Sequence, residues 1–248
     1  MSTENNRAKL YLIGAGPGDP ELLTLKAARV LGECDVILYD RLVSREVLSF
    51  ARPGAELIYV GKHEGEQNQT QGEIFDLIRQ HALNGKMVAR LKGGDPLVFG
   101  RGAEEWALAR EAGIAVELIP GITSAVAVPG LAGIPLTYRG VSQSFAVITG
   151  HCHEGRAGYW QKYAGVHTLV ILMGVKNRAY IAGALIAAGR DANEPVAFVQ
   201  RGTTPGEEVI ESTLAAVAAG KSNVQNPAVF VIGRVVKLRD RLNRPAKS

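Results

Sequence analysis

Residues 10–31 read LYLIGAGPGDPELLTLKAARVL, and this stretch decides the class of fold. Leu10 to Ile13 is an apolar run of strand length, Gly14 to Asp19 breaks it with glycines and a proline, and Leu22 to Leu31 places apolar residues at helical spacing. Val36 to Tyr39, Leu57 to Val60, Met87 to Leu91 and Val116 to Ile119 read as further short strands, with helices predicted over Glu73 to Ala82 and Ala103 to Glu111. Apolar strands alternating with helices imply a parallel-rich α/β sheet covered on both faces, with ligands at the carboxyl ends of the strands. Pro120-Gly121 then punctuates the chain, and Ile122 to Leu131 has the small residues of a packed interdomain helix. The second half resumes with strands at Phe145 to Thr149, Thr168 to Leu172, Val196 to Val199, Val209 to Glu211 and Ala228 to Ile232, and helices at Ala179 to Ala188 and Leu214 to Ala219. The expected organisation is two α/β domains, residues 1–120 and 121–248.

Composition narrows the function classes. With 46% hydrophobic and 21% charged residues in 248, the chain is ordinary globular protein, long enough for two cores. No apolar run approaches the roughly 20 residues that cross a bilayer, and Met1 to Lys9 lacks the apolar core of a secretory leader. The expectation is a cytoplasmic protein with no membrane partner. A net charge of +4 suits an anionic ligand and does not demand nucleic acid. Cys34 and Cys152 are too few for a disulfide framework or a structural zinc site.

The first glycine-rich turn, Gly14-Ala15-Gly16-Pro17-Gly18-Asp19, resembles a dinucleotide fingerprint, with Asp40 where a ribose-binding acid would stand. Two residues oppose that reading. Asp19 occupies the place of the third glycine and sets a negative charge beside the pyrophosphate, and Pro17 removes a backbone N–H that a phosphate would use. A tight turn without a ligand is the plain alternative. Gly220-Lys221-Ser222 is no phosphate loop, since Ala216 stands where the leading glycine should be. His151-Cys152-His153 has no partner cluster and reads as a loop, not a metal site.

The most informative stretch runs from Arg90 to Gly102, RLKGGDPLVFGRG. Gly93 and Gly94 let backbone pass close to a ligand, Asp95 can accept hydrogen bonds from hydroxyl or ammonium groups, and Arg101 offers a planar fork for carboxylates. Glu104 lies three residues after Arg101, so the two either face one ligand or simply pair at a helix start.

Tyr39-Asp40-Arg41-Leu42-Val43-Ser44, Val60-Gly61-Lys62, the stretch from Arg90 to Gly102, Pro120-Gly121-Ile122-Thr123-Ser124, Gly133-Ile134-Pro135-Leu136-Thr137 and Gly233-Arg234-Val235-Val236 resemble, in order and over nearly the whole chain, the motif series of uroporphyrinogen-III C-methyltransferases. That resemblance implies the tetrapyrrole methylase fold, a class III methyltransferase of two α/β domains with S-adenosyl-L-methionine in the cleft between them. It also implies a homodimer without a metal, releasing S-adenosyl-L-homocysteine. Uroporphyrinogen III would be methylated twice, through precorrin-1 to precorrin-2, which feeds sirohaem, cobalamin or haem d1. By matching motif, the cofactor contacts would be Pro17, Gly93, Gly94, Asp95 and Val98, then Thr123, Ser124, Met173 and Gly202. Asp40 and Lys62 match the family's proposed acid–base positions, and Arg101, Glu104 and Arg139 its substrate-facing ones. Tyr138 and Ser124 depart from the family's usual His and Ala.

The sulfonium is already an activated methyl donor, so the protein's task is alignment and proton removal. A carboxylate-rich macrocycle gives Arg101, Arg139 and Lys62 an evident use. Arg101 is hard to deprotonate, so it is read first as an orienting, charge-stabilising catalytic residue, and the base stays open. The rival readings are another precorrin methyltransferase, an NAD(P)-dependent dehydrogenase and a tetrapyrrole carrier.

Overall fold

The computed structural model describes residues 9–61, 70–151 and 158–243. β1 (Lys9–Gly14) forms where the apolar run predicts it, one residue longer at each end. Its turn does not lead straight into a helix. Asp19 accepts from the Glu21 N–H at 2.8 Å and opens a single tight turn at Pro20–Leu22. Thr24 then caps α1 (Leu25–Leu31) by accepting from the Ala27 N–H at 3.2 Å. The helix expected from Leu22 is therefore shorter, because two capping side chains in succession end one turn and start the next.

β2 (Val36–Tyr39), α2 (Arg45–Leu48), β3 (Glu56–Tyr59), α3 (Gln71–Leu83), β4 (Met87–Lys92), α4 (Gly102–Glu111) and β5 (Ala115–Ile119) follow. The one-turn α2 went unread in the sequence, being too short to show a period. α3 starts at a capping box in which Thr70 and Glu73 satisfy each other's backbone N–H groups. The strands form a wholly parallel sheet, ordered β3-β2-β4-β1-β5. Successive side chains point to opposite faces. Ile13, Ile37 and Leu91 pack on Ala27, Val30 and Leu31 of α1, while Leu12, Leu38 and Val88 pack on Ile74 and Ile78 of α3 and Ala109 of α4. From β1 the chain goes to β2 on one side, and from β4 to β5 on the other. The carboxyl ends of β1 and β4 are thus the switch point at which open α/β sheets bind ligands.

The chain divides into two units, Met1–Thr123 and Ser124–Ser248. The second contains α5 (Ser124–Leu131), β6 (Phe145–Thr149), β7 (Thr168–Leu172), α6 (Arg178–Ala187), β8 (Pro195–Gln200), β9 (Glu208–Thr213), α7 (Leu214–Ala218), β10 (Ala228–Ile232) and α8 (Arg239–Leu242). Its order is β6-β7-β10-β8-β9, and only β6 and β7 pair in parallel. Because β10 runs against both β7 and β8, strands β6, β7 and β8 all point one way. Both faces are covered: Ile171, Phe198 and Phe230 lie with Ile181 and Leu185 of α6 and Leu214 of α7, and Val170, Val199 and Val231 with Ala125 and Val128 of α5. Among the described residues no helix is long and apolar enough to cross a membrane.

Candidate functional site

In the first unit the glycines serve the packing of backbone on backbone. A Cβ on Gly14 would stand 2.5 Å from Gly121 Cα and 2.6 Å from the Gly94 carbonyl oxygen, and one on Gly121 would stand 2.2 Å from that oxygen. The turns after β1, β4 and β5 therefore touch through main chain alone. Gly16 and Gly94 exchange hydrogen bonds, 3.2 Å from the Gly16 N–H and 2.6 Å from the Gly94 N–H, and the Ala15 N–H donates to the Lys92 carbonyl at 2.8 Å. Gly16 and Gly94 hold φ of +76° and +67°, the left-handed region that glycine enters without strain. The first and second glycine-rich turns, read separately in the sequence, are one structure.

Asp95 ties the third turn to them. Its Oδ1 accepts from the Leu97 N–H at 2.8 Å and its Oδ2 from the Gly121 N–H at 3.1 Å. Both carboxylate oxygens are engaged with backbone, and each retains a further lone pair for a ligand donor. The expectation that Asp95 faces a ligand is joined by a structural task the sequence did not reveal.

Asp40 follows β2, with Oδ1 accepting from the Leu42 N–H at 3.0 Å and Oδ2 3.6 Å from Arg90 Nη2. Lys62, its expected acid–base companion, lies outside the described residues. Beneath Asp40 is a charged group that the sequence reading missed. Arg90, Lys92 and Glu105 are buried at 3%, 4% and 1% exposure. Glu105 Oε1 accepts from Arg90 Nε at 3.2 Å and Lys92 Nζ at 2.9 Å. Burial, with Arg90 alongside, holds the Lys92 ammonium below the usual lysine range. A usable signal was present: cations two apart in a strand covered on both faces must find a buried acid.

Arg101 and Glu104 meet each other. The guanidinium forks onto the carboxylate with Nε at 3.0 Å from Oε1 and Nη2 at 2.5 Å from Oε2, and both side chains are more than half exposed. The Arg101 hydrogen bond holds Glu104 below the usual carboxylate range. Arg101 sits at φ +59° as the residue before α4, and Phe99 at +53°. Left-handed backbone in non-glycine residues costs about 1–3 kcal/mol each and gathers at binding turns.

Among the described residues, the other three of this kind lie in the second unit: Met173 at φ +56°, Arg201 at +46° and Thr203 at +64°. They flank or occupy the turns after β7 and β8, which open at the same end of the sheet. A Cβ on Gly150, after β6, would stand 2.3 Å from Gly174 Cα, so those turns also pack main chain on main chain. Gly202 seats directly on α5, where a Cβ would fall 2.4 Å from Val128 Cγ1. Ser124 opens α5, directly after Thr123. Arg139 is exposed at the tip of a turn closed by the Tyr138 and Ser142 backbones.

Of the motifs set aside in the sequence, Gly220 is a left-handed helix terminator at φ +73°. Cys34 is wholly buried, its thiol pushed up to about 12 by burial. Cys152 and His153 lie outside the described residues. Among the described residues no group of three or more His, Cys, Asp and Glu can hold a metal ion.

Each of the two α/β units gathers glycine-lined turns and left-handed non-glycine residues at one end of its sheet, the end at which α/β proteins hold their ligands. The chain belongs to the tetrapyrrole (corrin/porphyrin) methylases, whose family model matches residues 9–218. It is 46% identical over 237 residues to the uroporphyrinogen-III C-methyltransferase of Methanocaldococcus jannaschii, covering 94% of this chain and 98% of that protein. The Bacillus subtilis protein of the same name is 45% identical over 239 residues, covering 94% and 93%. Among solved structures, uroporphyrin-III C-methyltransferase from Thermus thermophilus, complexed with S-adenosyl homocysteine, superposes with a TM-score of 0.82 at 47% identity, covering 93% and 94%. The fold is that of this family, as the motif series implied.

Proposed function

We propose that the chain transfers methyl groups from S-adenosyl-L-methionine to uroporphyrinogen III, twice, giving precorrin-2 through precorrin-1. The observation that carries this is 46% identity, across nearly the full length of both chains, to a protein of that named activity. The nicotinamide-dependent alternative finds no support among these relatives. Asp19 also turns away from it: its carboxylate caps the Pro20–Leu22 turn, the kind of backbone donor a pyrophosphate would need.

The turns fit an adenosyl sulfonium better than a dinucleotide. Pro17 has no N–H, and those of Gly16 and Gly94 are spent on each other's carbonyls and do not serve a phosphate, while Asp95 keeps acceptor capacity for hydroxyl or ammonium groups. In this reading Pro17, Gly93, Gly94, Asp95, Val98, Thr123, Ser124, Met173 and Gly202 hold the cofactor. Bound cofactor supplies an activated methyl group. The protein's own residues then position and deprotonate: Arg101 and Arg139 hold substrate carboxylates, with Glu104 as the partner Arg101 exchanges for them. Asp40, with Lys62, handles the proton lost from the methylated ring. The chain acts in the cytoplasm without nucleic acid and as a homodimer, a dimer supported by family resemblance and tested by light scattering.

Incubation with uroporphyrinogen III and S-adenosyl-L-methionine, followed by mass measurement, tests the activity. Successive one- and two-methyl products are expected. Binding of substrate without labelled-methyl transfer would make the chain a carrier, and methylation of only a more advanced precorrin would place it later in corrin synthesis.

A further inference from the structure

The buried charged group beneath Asp40 has a direction. Arg90 and Lys92 project from the same face of β4 as Val88, toward α3 and α4. Replacing buried ion pairs by apolar residues is often neutral or stabilising, so their presence does not explain itself as stability. What an arginine adds is a planar fork with fixed directions. Here Nε is held by Glu105, Nη1 donates to the Leu91 carbonyl at 3.0 Å, and Nη2 is left facing Asp40 Oδ2 at 3.6 Å. Glu105 serves both cations through Oε1, and its buried Oε2 has no hydrogen-bond partner among the described residues. Asp40 is pinned from its loop by the Leu42 N–H and approached from the interior by Arg90, with its side chain 27% exposed and so able to meet a ligand.

We propose that Arg90 is a positioning residue for catalysis: locked by Glu105, it anchors Asp40 from the buried side so that the carboxylate meets the substrate in one orientation. This rests on the reading of Asp40 as an acid–base group. Lysine at 90 keeps the charge and loses the fork, and glutamine at 105 keeps the shape and loosens the lock.

Steady-state kinetics on Arg90→Lys, Glu105→Gln, Asp40→Asn and the double variant Arg90→Lys/Asp40→Asn test it, with calorimetry of S-adenosyl-L-methionine as the check on folding. Misplacement of a reacting group by about 1 Å costs roughly a hundredfold, so Arg90→Lys should lower kcat by about ten- to a hundredfold while KM for both substrates stays close to the parent's. The double variant should be no slower than Asp40→Asn, because residues acting as a unit are not additive. Should Arg90→Lys fail to bind cofactor, Glu105→Gln carries the same expectation of lowered kcat at unchanged KM. Slow turnover in Asp40→Asn beside normal turnover in Arg90→Lys and Glu105→Gln would overturn the proposal alone, as would losses that multiply in the double variant. Full turnover in Asp40→Asn would overturn the acid–base reading and the proposal with it.

Discussion

Replacing Asp95 by alanine removes the acceptor of two backbone donors, the N–H groups of Leu97 and Gly121. The Gly121 N–H is partly buried where three turns meet, and leaving such a donor unpaired costs about 1–3 kcal/mol. Leu97 is exposed, so water can replace the lost acceptor there and the added cost is small. We expect a total of about 2–3 kcal/mol, or a fall in Tm of roughly 5–10 °C for a chain of this size. Asparagine is expected to do little better, because one oxygen becomes an NH2 group facing an N–H. Release of the turns should also weaken S-adenosyl-L-methionine binding by about tenfold or more, each 1.4 kcal/mol being a factor of ten. Differential scanning calorimetry and isothermal titration of the two variants read both quantities. An unchanged Tm in Asp95→Ala would refute the claim that the carboxylate ties the turns, and an unchanged Kd would remove it from the cofactor's surroundings.

Gly121→Ala forces a Cβ to 2.2 Å from the Gly94 carbonyl oxygen, which as main chain cannot step aside, so urea unfolding should show a loss of about 1–3 kcal/mol or more. Gly130→Ala, in α5 with nothing within 4 Å, should instead stabilise by up to about 1 kcal/mol. Arg101→Ala breaks an exposed pair, so Tm should barely move. Its methyl-transfer rate should fall steeply while cofactor affinity holds, and normal turnover would remove Arg101 from the site. Glu117 is held down to about 2 by hydrogen bonds from Lys26 and Lys9. A depressed carboxylate adds stability above its unfolded value near pH 4 and loses it as pH falls through the folded one, so the contribution should disappear between about pH 4 and 2. Lys26 is half exposed, so the effect should stay below about 1 kcal/mol, shrink in salt and be absent in Glu117→Gln.

The parallel sheet of the first unit was legible because strands buried on both faces spell themselves as short apolar runs between helices. The mixed sheet of the second was not. Apolar runs such as Val196 to Val199 and Ala228 to Ile232 read alike in either direction, so pairing against or along a neighbour leaves no mark on composition.

The same division holds at the candidate site. The order of residues alone marked Gly14 to Asp19 and Arg90 to Gly102 as candidate binding turns, because they concentrate glycine, acid and base beyond what a loop requires. It also determined the family, through motifs spread along the chain. Only the tertiary structure decided what those residues touch. Gly14, Gly94 and Gly121 are glycine because three main chains meet there, Asp95 is engaged by two backbone donors, and Arg90 and Lys92 converge on Glu105. Leu97 apart, which follows Asp95 by two residues, these partners lie between 13 residues (Lys92 and Glu105) and 107 residues (Gly14 and Gly121) apart in sequence, and a contact across such a separation is set by how the strands order in the sheet, which no local pattern encodes.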